Sequence, residues 1–314
     1  MTDTPVEAAE RPVEGRLSVG AGLLLLATIT VLWGVNWPMM KRAVTEVPIW
    51  TFRSICLLGA ALGFLVICRL AGQSLRIPRG QVGPLLISSL FNVTIWHICS
   101  ATGLVHLAAS RASIIAFTMP LWAALLAAPL LGERPTIYTV VGLVVGLAGM
   151  AVLILPQHEA VLADPVGPLV MTVAAVSWAV GTIMVKYYRF AMPVAALTAW
   201  QLLIGGIPVV IGGIVFDRDF DPGLVSTNAW LATAYAVIVA TLFCQWSWFK
   251  LIHSFPAVAI SIGSLAIPVV GVIASAIGLG ETVGVDVVAA LALVVLALFF
   301  ALILPALRSA RPSS

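Results

Sequence analysis

The feature that most constrains this chain is a succession of apolar stretches, each about twenty residues long, with the charges and many of the prolines gathered in the short breaks between them. An α-helix rises about 1.5 Å per residue, so about 20 apolar residues cross about 30 Å of hydrocarbon while satisfying their own backbone hydrogen bonds. Setting the runs against their breakers predicts ten transmembrane helices, at 17–40, 49–70, 82–103, 107–131, 135–155, 166–186, 193–215, 228–249, 256–279 and 284–306. The expected class is an all-α integral membrane protein. Composition agrees: 61% of residues are hydrophobic and 9% charged, whereas a soluble domain carries about a quarter charged residues.

Residues 1–16 contain Pro5, Glu7, Glu10, Pro12 and Glu14 and read as a polar tail. The run from Leu17 to Met40 is too long for the apolar core of a signal peptide and reads as a retained first span. Residues 307–314 form a second short tail. Cys56, Cys68, Cys99 and Cys244 lie in or beside apolar runs without metal-ligand or redox spacing, so they read as packing residues. No metal or cofactor is expected, and the net charge of +3 is a matter of loop charges rather than of a nucleic-acid partner. The expected surroundings are a lipid bilayer.

Loop cations set orientation, because lysine- and arginine-rich connections stay on the cytoplasmic side. Arg11, Arg16, Arg69, Arg76, Arg79, Arg134, Lys186, Arg189, Lys250, Arg308 and Arg311 would share the side of the two tails, against Lys41, Arg42 and Arg218 on the other. The acidic connections His158–Asp164 and Asp217–Asp221 fall on that other side. Both termini are therefore expected in the cytoplasm, with the chain in a bacterial-type inner membrane.

Residues of the first half recur in the second. Trp33, Lys41 and Pro48 return 145 positions on as Trp178, Lys186 and Pro193. A three-residue insertion then moves the offset to 148, placing Phe52-Arg53 on Trp200-Gln201, His97 on Gln245, Ser113-Ile114 on Ser261-Ile262, Pro120 on Pro268 and Gly132-Glu133 on Gly280-Glu281. Each copy holds five predicted spans, 17–155 and 166–306, and an odd number turns the second copy over in the membrane. Inverted repeats are a common construction of secondary transporters, in which two interchangeable half-conformations present a central site to either side.

With these residues in view, the chain resembles the EamA-type branch of the drug/metabolite transporter superfamily, whose members carry two five-helix EamA repeats. The resemblance rests on Trp33-Gly34-Val35-Asn36-Trp37, on Pro48 followed by Phe52-Arg53, and on Pro120 ahead of Leu131-Gly132-Glu133. The second copy keeps Trp178 and the Pro268 to Leu279-Gly280-Glu281 element but has Gly181 for Asn36 and Gln201 for Arg53. It covers about residues 20–305 and implies a carrier with its substrate in a central cavity, often an exporter of amino acids or related metabolites. In size and tryptophan content the chain is similar to the YddG-like amino-acid exporter branch, which would make the cargo an aromatic or broadly neutral amino acid.

Several residues could line such a cavity. Trp33, Asn36 and Trp37 share one face of the first span, and Trp178 lies at the mirrored depth in the sixth. Packing with Asn36 bonded to a neighbouring backbone is the alternative. Arg53 sits about one turn inside the second span, where a charge is costly unless it faces a cavity or reaches the interface. A guanidinium there could take a carboxylate in two parallel hydrogen bonds. Arg111, similarly placed, is expected to snorkel or pair with a loop. His97 and Gln245 occupy equivalent positions and, with Asn92, Trp96, Trp246 and Trp248, could form an aromatic-walled pocket or simply hold helices together. Gln201 completes the candidate set as the counterpart of Arg53. Pro120 and Pro268 interrupt spans near their centres and are candidate hinges.

All thirteen acidic residues lie in tails, connections or span edges. A carboxylate proton relay is therefore not expected, which leaves gradient-driven movement, or exchange linked to His97, whose unperturbed pKa lies nearest neutrality. The chain has no H-E-x-x-H, no nucleotide-binding glycine loop and no paired intramembrane aspartates, so neither an embedded enzyme nor an ATP-driven pump is expected. An exporter of nucleoside-type or amphipathic compounds is the alternative within carriers.

Overall fold

The computed structural model describes residues 17–131, 136–155, 164–254 and 266–304. The tails, Gly132-Glu133, Ser261-Ile262 and the start of the ninth predicted span lie outside them. Among the described residues the chain is helical throughout: α1 Val19–Val44, α2 Ile49–Leu70, α3 Val82–Ser89, α4 Trp96–His106, α5 Ala109–Ala116, α6 Met119–Leu131, α7 Ile137–Ile154, α8 Val166–Tyr188, α9 Val194–Phe216, α10 Thr227–Ala234, α11 Cys244–Ser254, α12 Ala266–Leu279 and α13 Val285–Leu298. Two π-helical stretches, Leu90–Ile95 and Tyr235–Phe243, join α3 to α4 and α10 to α11, and a third, Phe299–Ile303, extends α13.

Among the described residues seven helical runs are long and apolar enough to cross a membrane: Val19–Val44, Ile49–Leu70, Val82–His106, Ala109–Ala127, Val166–Tyr188, Val194–Phe216 and Thr227–Trp248. Val140–Leu153, Ala266–Leu279 and Val285–Ala301 are shorter apolar helices. Large apolar side chains such as Leu24, Leu62, Val144, Leu169, Ile211, Ile214 and Ile277 are exposed along them. In a water-soluble protein that surface would aggregate, whereas in hydrocarbon it is the proper exterior.

The two halves pack through equivalent elements. α2 lies along α9, and α7 along α13; α1 packs on α12 and on α10–α11, while α8 packs on α5–α6 and on α4. The amide and hydroxyl of Thr51, at the start of α2, donate to Asp217 at the end of α9, at 2.7 and 2.9 Å. Trp200, near the start of α9, donates its indole N–H to the Leu75 carbonyl beyond the end of α2 at 2.8 Å. Equivalent helices therefore run in opposite directions. Small residues permit the close approaches: a Cβ on Gly34 would stand 2.5 Å from Val270, and one on Gly205 2.5 Å from Val93.

The fourth predicted span is broken. α5 ends at Ala116, and α6 begins at Met119. Pro120 has no N–H to give the Ala116 carbonyl four residues back, and its ring crowds that oxygen, so the helix stops there and restarts with proline in its first turn. Pro268 lies in α12, and the residues just before Ala266 are outside the described ones.

Candidate functional site

Arg53 is 4% exposed. Its Nε donates to the His97 carbonyl and its Nη2 to the Ser100 hydroxyl, each at 2.9 Å, and its guanidinium carbon lies 5.2 Å from the centre of the Phe52 ring. Among the described residues no carboxylate pairs with it; the ion pairs there are His106–Asp164 and Arg111–Asp286. A buried positive charge without a counter-ion is expensive, and two neutral acceptors offset only part of the cost. Snorkelling does not relieve it, because the guanidinium is turned inward onto α4.

Among the described residues Asn36 Oδ1, Asn92 Oδ1, His97 Nδ1, Ser110 Oγ and Ser247 Oγ are buried without a hydrogen-bond partner. Native proteins satisfy nearly all such atoms, and an orphaned one costs about 1–3 kcal/mol. The π-helical stretch explains part of the arrangement. Its bonds run to the fifth residue rather than the fourth, which brings residues five apart, such as Asn92 and His97, toward one face. The equivalent pair, Ala240 and Gln245, flanks the end of the second π stretch. Gln245 is half-buried at that position.

Each π stretch also serves as a dock. Trp33 donates its indole N–H to the Ala240 carbonyl at 2.8 Å and stands 5.5 Å from the Trp248 ring, while the Tyr235 hydroxyl donates to the Leu32 carbonyl at 2.8 Å. Across the pseudo-symmetric junction Ser177 Oγ donates to the Phe91 carbonyl at 2.6 Å, and Trp96 and Trp178 rings lie 5.3 Å apart. Gly181, the counterpart of Asn36, is covered by Asn92: a Cβ there would be 2.2 Å from Asn92 Oδ1. The second half thus has a carboxamide near the place where its own repeat lacks one, supplied from the first half.

The structure divides the candidates. Arg53 and His97 are in contact, Trp96 and Trp178 are in contact, and Asn92 meets the Gly181 backbone. Trp37 is 5% exposed and packs 6.5 Å from Phe117, in the apolar cluster that Trp96 borders. Trp33 and Trp248 border a different cluster, and Trp246 a third, so those tryptophans do not form one wall. Gln201 donates to Ser88 Oγ at 3.0 Å, away from Arg53. Arg111 reaches Asp286 Oδ2 at 2.7 Å and the Leu153 carbonyl at 2.9 Å. Ser100 and the π stretches were not foreseen; a serine three residues after His97 carries no distinctive pattern. A hollow of about 330 Å³ lies at the end of the bundle beside Lys41, Arg42, Glu46, Ser226 and Asn228.

Comparison with known proteins gives a consistent picture. The EamA-like transporter family matches residues 20–155 and 165–303. The uncharacterized transporter YvbV of Bacillus subtilis is 29% identical over 87% of this chain and 88% of its own length. A probable amino-acid metabolite efflux pump of Salmonella typhimurium is 24% identical over 82% of this chain and 87% of its own. A solved crystal structure superposes with a TM-score of 0.64 over 94% of this chain and all of that one, at 19% identity, which speaks to fold alone.

Proposed function

The chain belongs to the EamA-like transporter family, and from that premise we propose that it exports an amino acid, aromatic or broadly neutral, by alternating access. In this reading the seven long helices and three shorter ones make ten crossings arranged as 17–155 and 166–306, with both termini in the cytoplasm of an inner membrane. The observation that carries the assignment is a pairing of opposites between α2 and α4: a buried guanidinium with no carboxylate partner among the described residues, bonded to the carbonyl of His97, whose own Nδ1 is buried without a partner there. A zwitterion satisfies both. Its carboxylate meets Arg53, and its ammonium meets Asn36, Asn92 or His97 Nδ1. The facing Trp96 and Trp178 rings suit a flat apolar side chain, and the Salmonella relative named as an amino-acid metabolite efflux pump points the same way. Pro120, at the break between α5 and α6, and its counterpart Pro268 would act as hinges.

The same paired indoles would also stack a planar base, which keeps a nucleoside-type or amphipathic cargo as the second reading. Counterflow in liposomes separates the two. Saturable exchange of labelled phenylalanine, tryptophan, threonine or methionine is expected; exchange of nucleosides with none of these amino acids overturns the assignment. Movement is expected to be gradient-driven, so a His97→Gln variant should show the same pH profile as the unaltered protein between about pH 5.5 and 8.

A further inference from the structure

At the end of the bundle opposite Leu17 and Leu304, two charged side chains from α1 and α12 hold the short connection between α4 and α5. Lys41 Nζ donates to the carbonyls of Leu104, Val105 and Leu107, at 2.5, 3.1 and 2.9 Å, where α4 ends. Glu281 accepts from the amides of Ala109 and Ser110, at 2.6 and 3.0 Å, where α5 begins. A cation on a helix C-terminus and an anion on the next N-terminus complement both dipoles, and each satisfies backbone groups that end unpaired in any helix. Gly280, at φ +67, ends α12 in the left-handed conformation and turns Glu281 toward that connection.

The placement of these bonds separates them from ordinary capping. α1 packs on α10–α11 and on α12, and α8 packs on α4 and on α5–α6; the two sets meet along a seam where α12 lies on α5 and α1 on α4 and α5. Lys41 and Glu281 belong to the first group, and all five of their acceptors and donors belong to the second. By contrast Glu46, which accepts from the Ser226 amide and hydroxyl at 2.7 and 2.8 Å, ties α1's end to α10's start within one group. The 330 Å³ hollow beside Lys41 and Leu279 stands at this junction, with Arg42 and Asn228 among its walls. Its walls come from the ends of α1 and α12 and the start of α10, and Lys41 is the residue it shares with the bonds to the α4–α5 connection.

We propose that Lys41 and Glu281 are a paired latch that holds the two helix groups together at this end of the bundle, and that releasing it lets the groups part there. They are positioning residues: they bear on which side the site faces, not on what it binds. The proposal rests on the alternating-access reading above and is independent of the substrate assignment. Because five hydrogen bonds break together when the groups part, the state shown is favoured by contacts that vanish in the other, as a two-state gate requires.

The test is a distance. Nitroxide labels at Thr45→Cys and Val105→Cys, both exposed and one on each side of the seam, report separation by pulsed electron paramagnetic resonance in lipid nanodiscs. Glu281→Gln and Lys41→Met are each expected to raise the long-distance population about tenfold, the effect of losing a charge-assisted contact. Lys41→Arg should restore the short distance, and Glu46→Gln should leave it unchanged. In counterflow, Glu281→Gln should lower the maximal rate with KM within about twofold. If the unaltered protein samples two distances but Glu281→Gln and Lys41→Met match it, the latch is wrong and alternating access stands. If neither the protein nor any variant shows a second distance, with or without a transported solute, alternating access itself is wrong.

Discussion

Position 53 of the first half carries an arginine and its counterpart, position 201 of the second, a glutamine, and the two side chains reach different neighbours. Arg53 turns onto α4, where the His97 carbonyl and Ser100 hydroxyl leave its charge unmatched; Gln201 finds Ser88 and is a buried amide with a hydroxyl partner. Their helices, α2 and α9, nonetheless lie side by side in opposite directions, as equivalents should. The same contrast recurs at α1 and α8, where Asn36 faces Gly181 in the register and Asn92 covers the glycine. Scaffold positions are thus duplicated, whereas the buried guanidinium and, among the described residues, all the orphaned buried polar atoms but Ser247 Oγ sit in the first half. A carrier whose halves exchange conformations needs symmetry in its packing, but a substrate with a carboxylate at one end and an ammonium at the other needs a site without it.

The sharpest way to break that contrast is Arg53→Met. Loss of a desolvated charge contact should lower kcat/KM for amino-acid counterflow by about 100-fold, near 3 kcal/mol. Its thermal midpoint in detergent should hold or rise, because an apolar side chain removes a buried charge that no carboxylate offsets. A fall in stability equal to the fall in transport would make Arg53 a structural residue. Gly181→Ala comes next. Its Cβ would meet Asn92, and overpacking of that kind costs about 1–3 kcal/mol, visible as a lower thermal midpoint and weaker transport. Trp33→Phe removes one interhelical hydrogen bond to Ala240 and should cost only about 0.6 kcal/mol, a value a double-mutant cycle can resolve.

The smallest effect belongs to the connection between the halves. The hydrogen bond from His106, at 2.9 Å, followed by that from the Val166 amide, holds the Asp164 carboxyl below the usual carboxylate range. A depressed folded value means the contribution is present at neutral pH and disappears as pH falls through that value. The gap in thermal midpoint between the protein and Asp164→Asn should therefore be small at pH 7 and close in acid below about pH 4.

Apolar run length and the two offsets made the class, the repeat and the opposed directions of its halves legible before any coordinates, because hydrocarbon imposes a length and a repeat imposes a register. The break at Pro120 was legible for a local reason, a missing amide. Pro38 and Pro208, inside continuous helices, mark the limit of that rule: neighbouring elements decide whether a proline ends a helix or only sits in one. Arg53 was conspicuous as a charge in an apolar run, but whether it snorkelled or turned inward depended on α4, which the run does not encode. The π stretches left no mark in composition. Glu281 follows a helix-ending glycine, and only the approach of α5 gives it two amides to cap. Nearness to His97 and Gln245 in the repeat register lets Trp96, Trp246 and Trp248 wall one pocket, but packing divides them among three clusters.

The central claim is that Arg53 recognises a carboxylate on a zwitterionic cargo, and competition for counterflow tests it most directly. Liposomes loaded with labelled phenylalanine would be challenged from the opposite side with phenylalanine and with its methyl ester, which keeps the ammonium and the ring but lacks the carboxylate. The account predicts saturable exchange driven by the amino acid, little by the ester, and loss of that preference in Arg53→Met. Equal exchange by acid and ester in the unaltered protein would contradict it and leave Arg53 a buried charge that serves the fold alone.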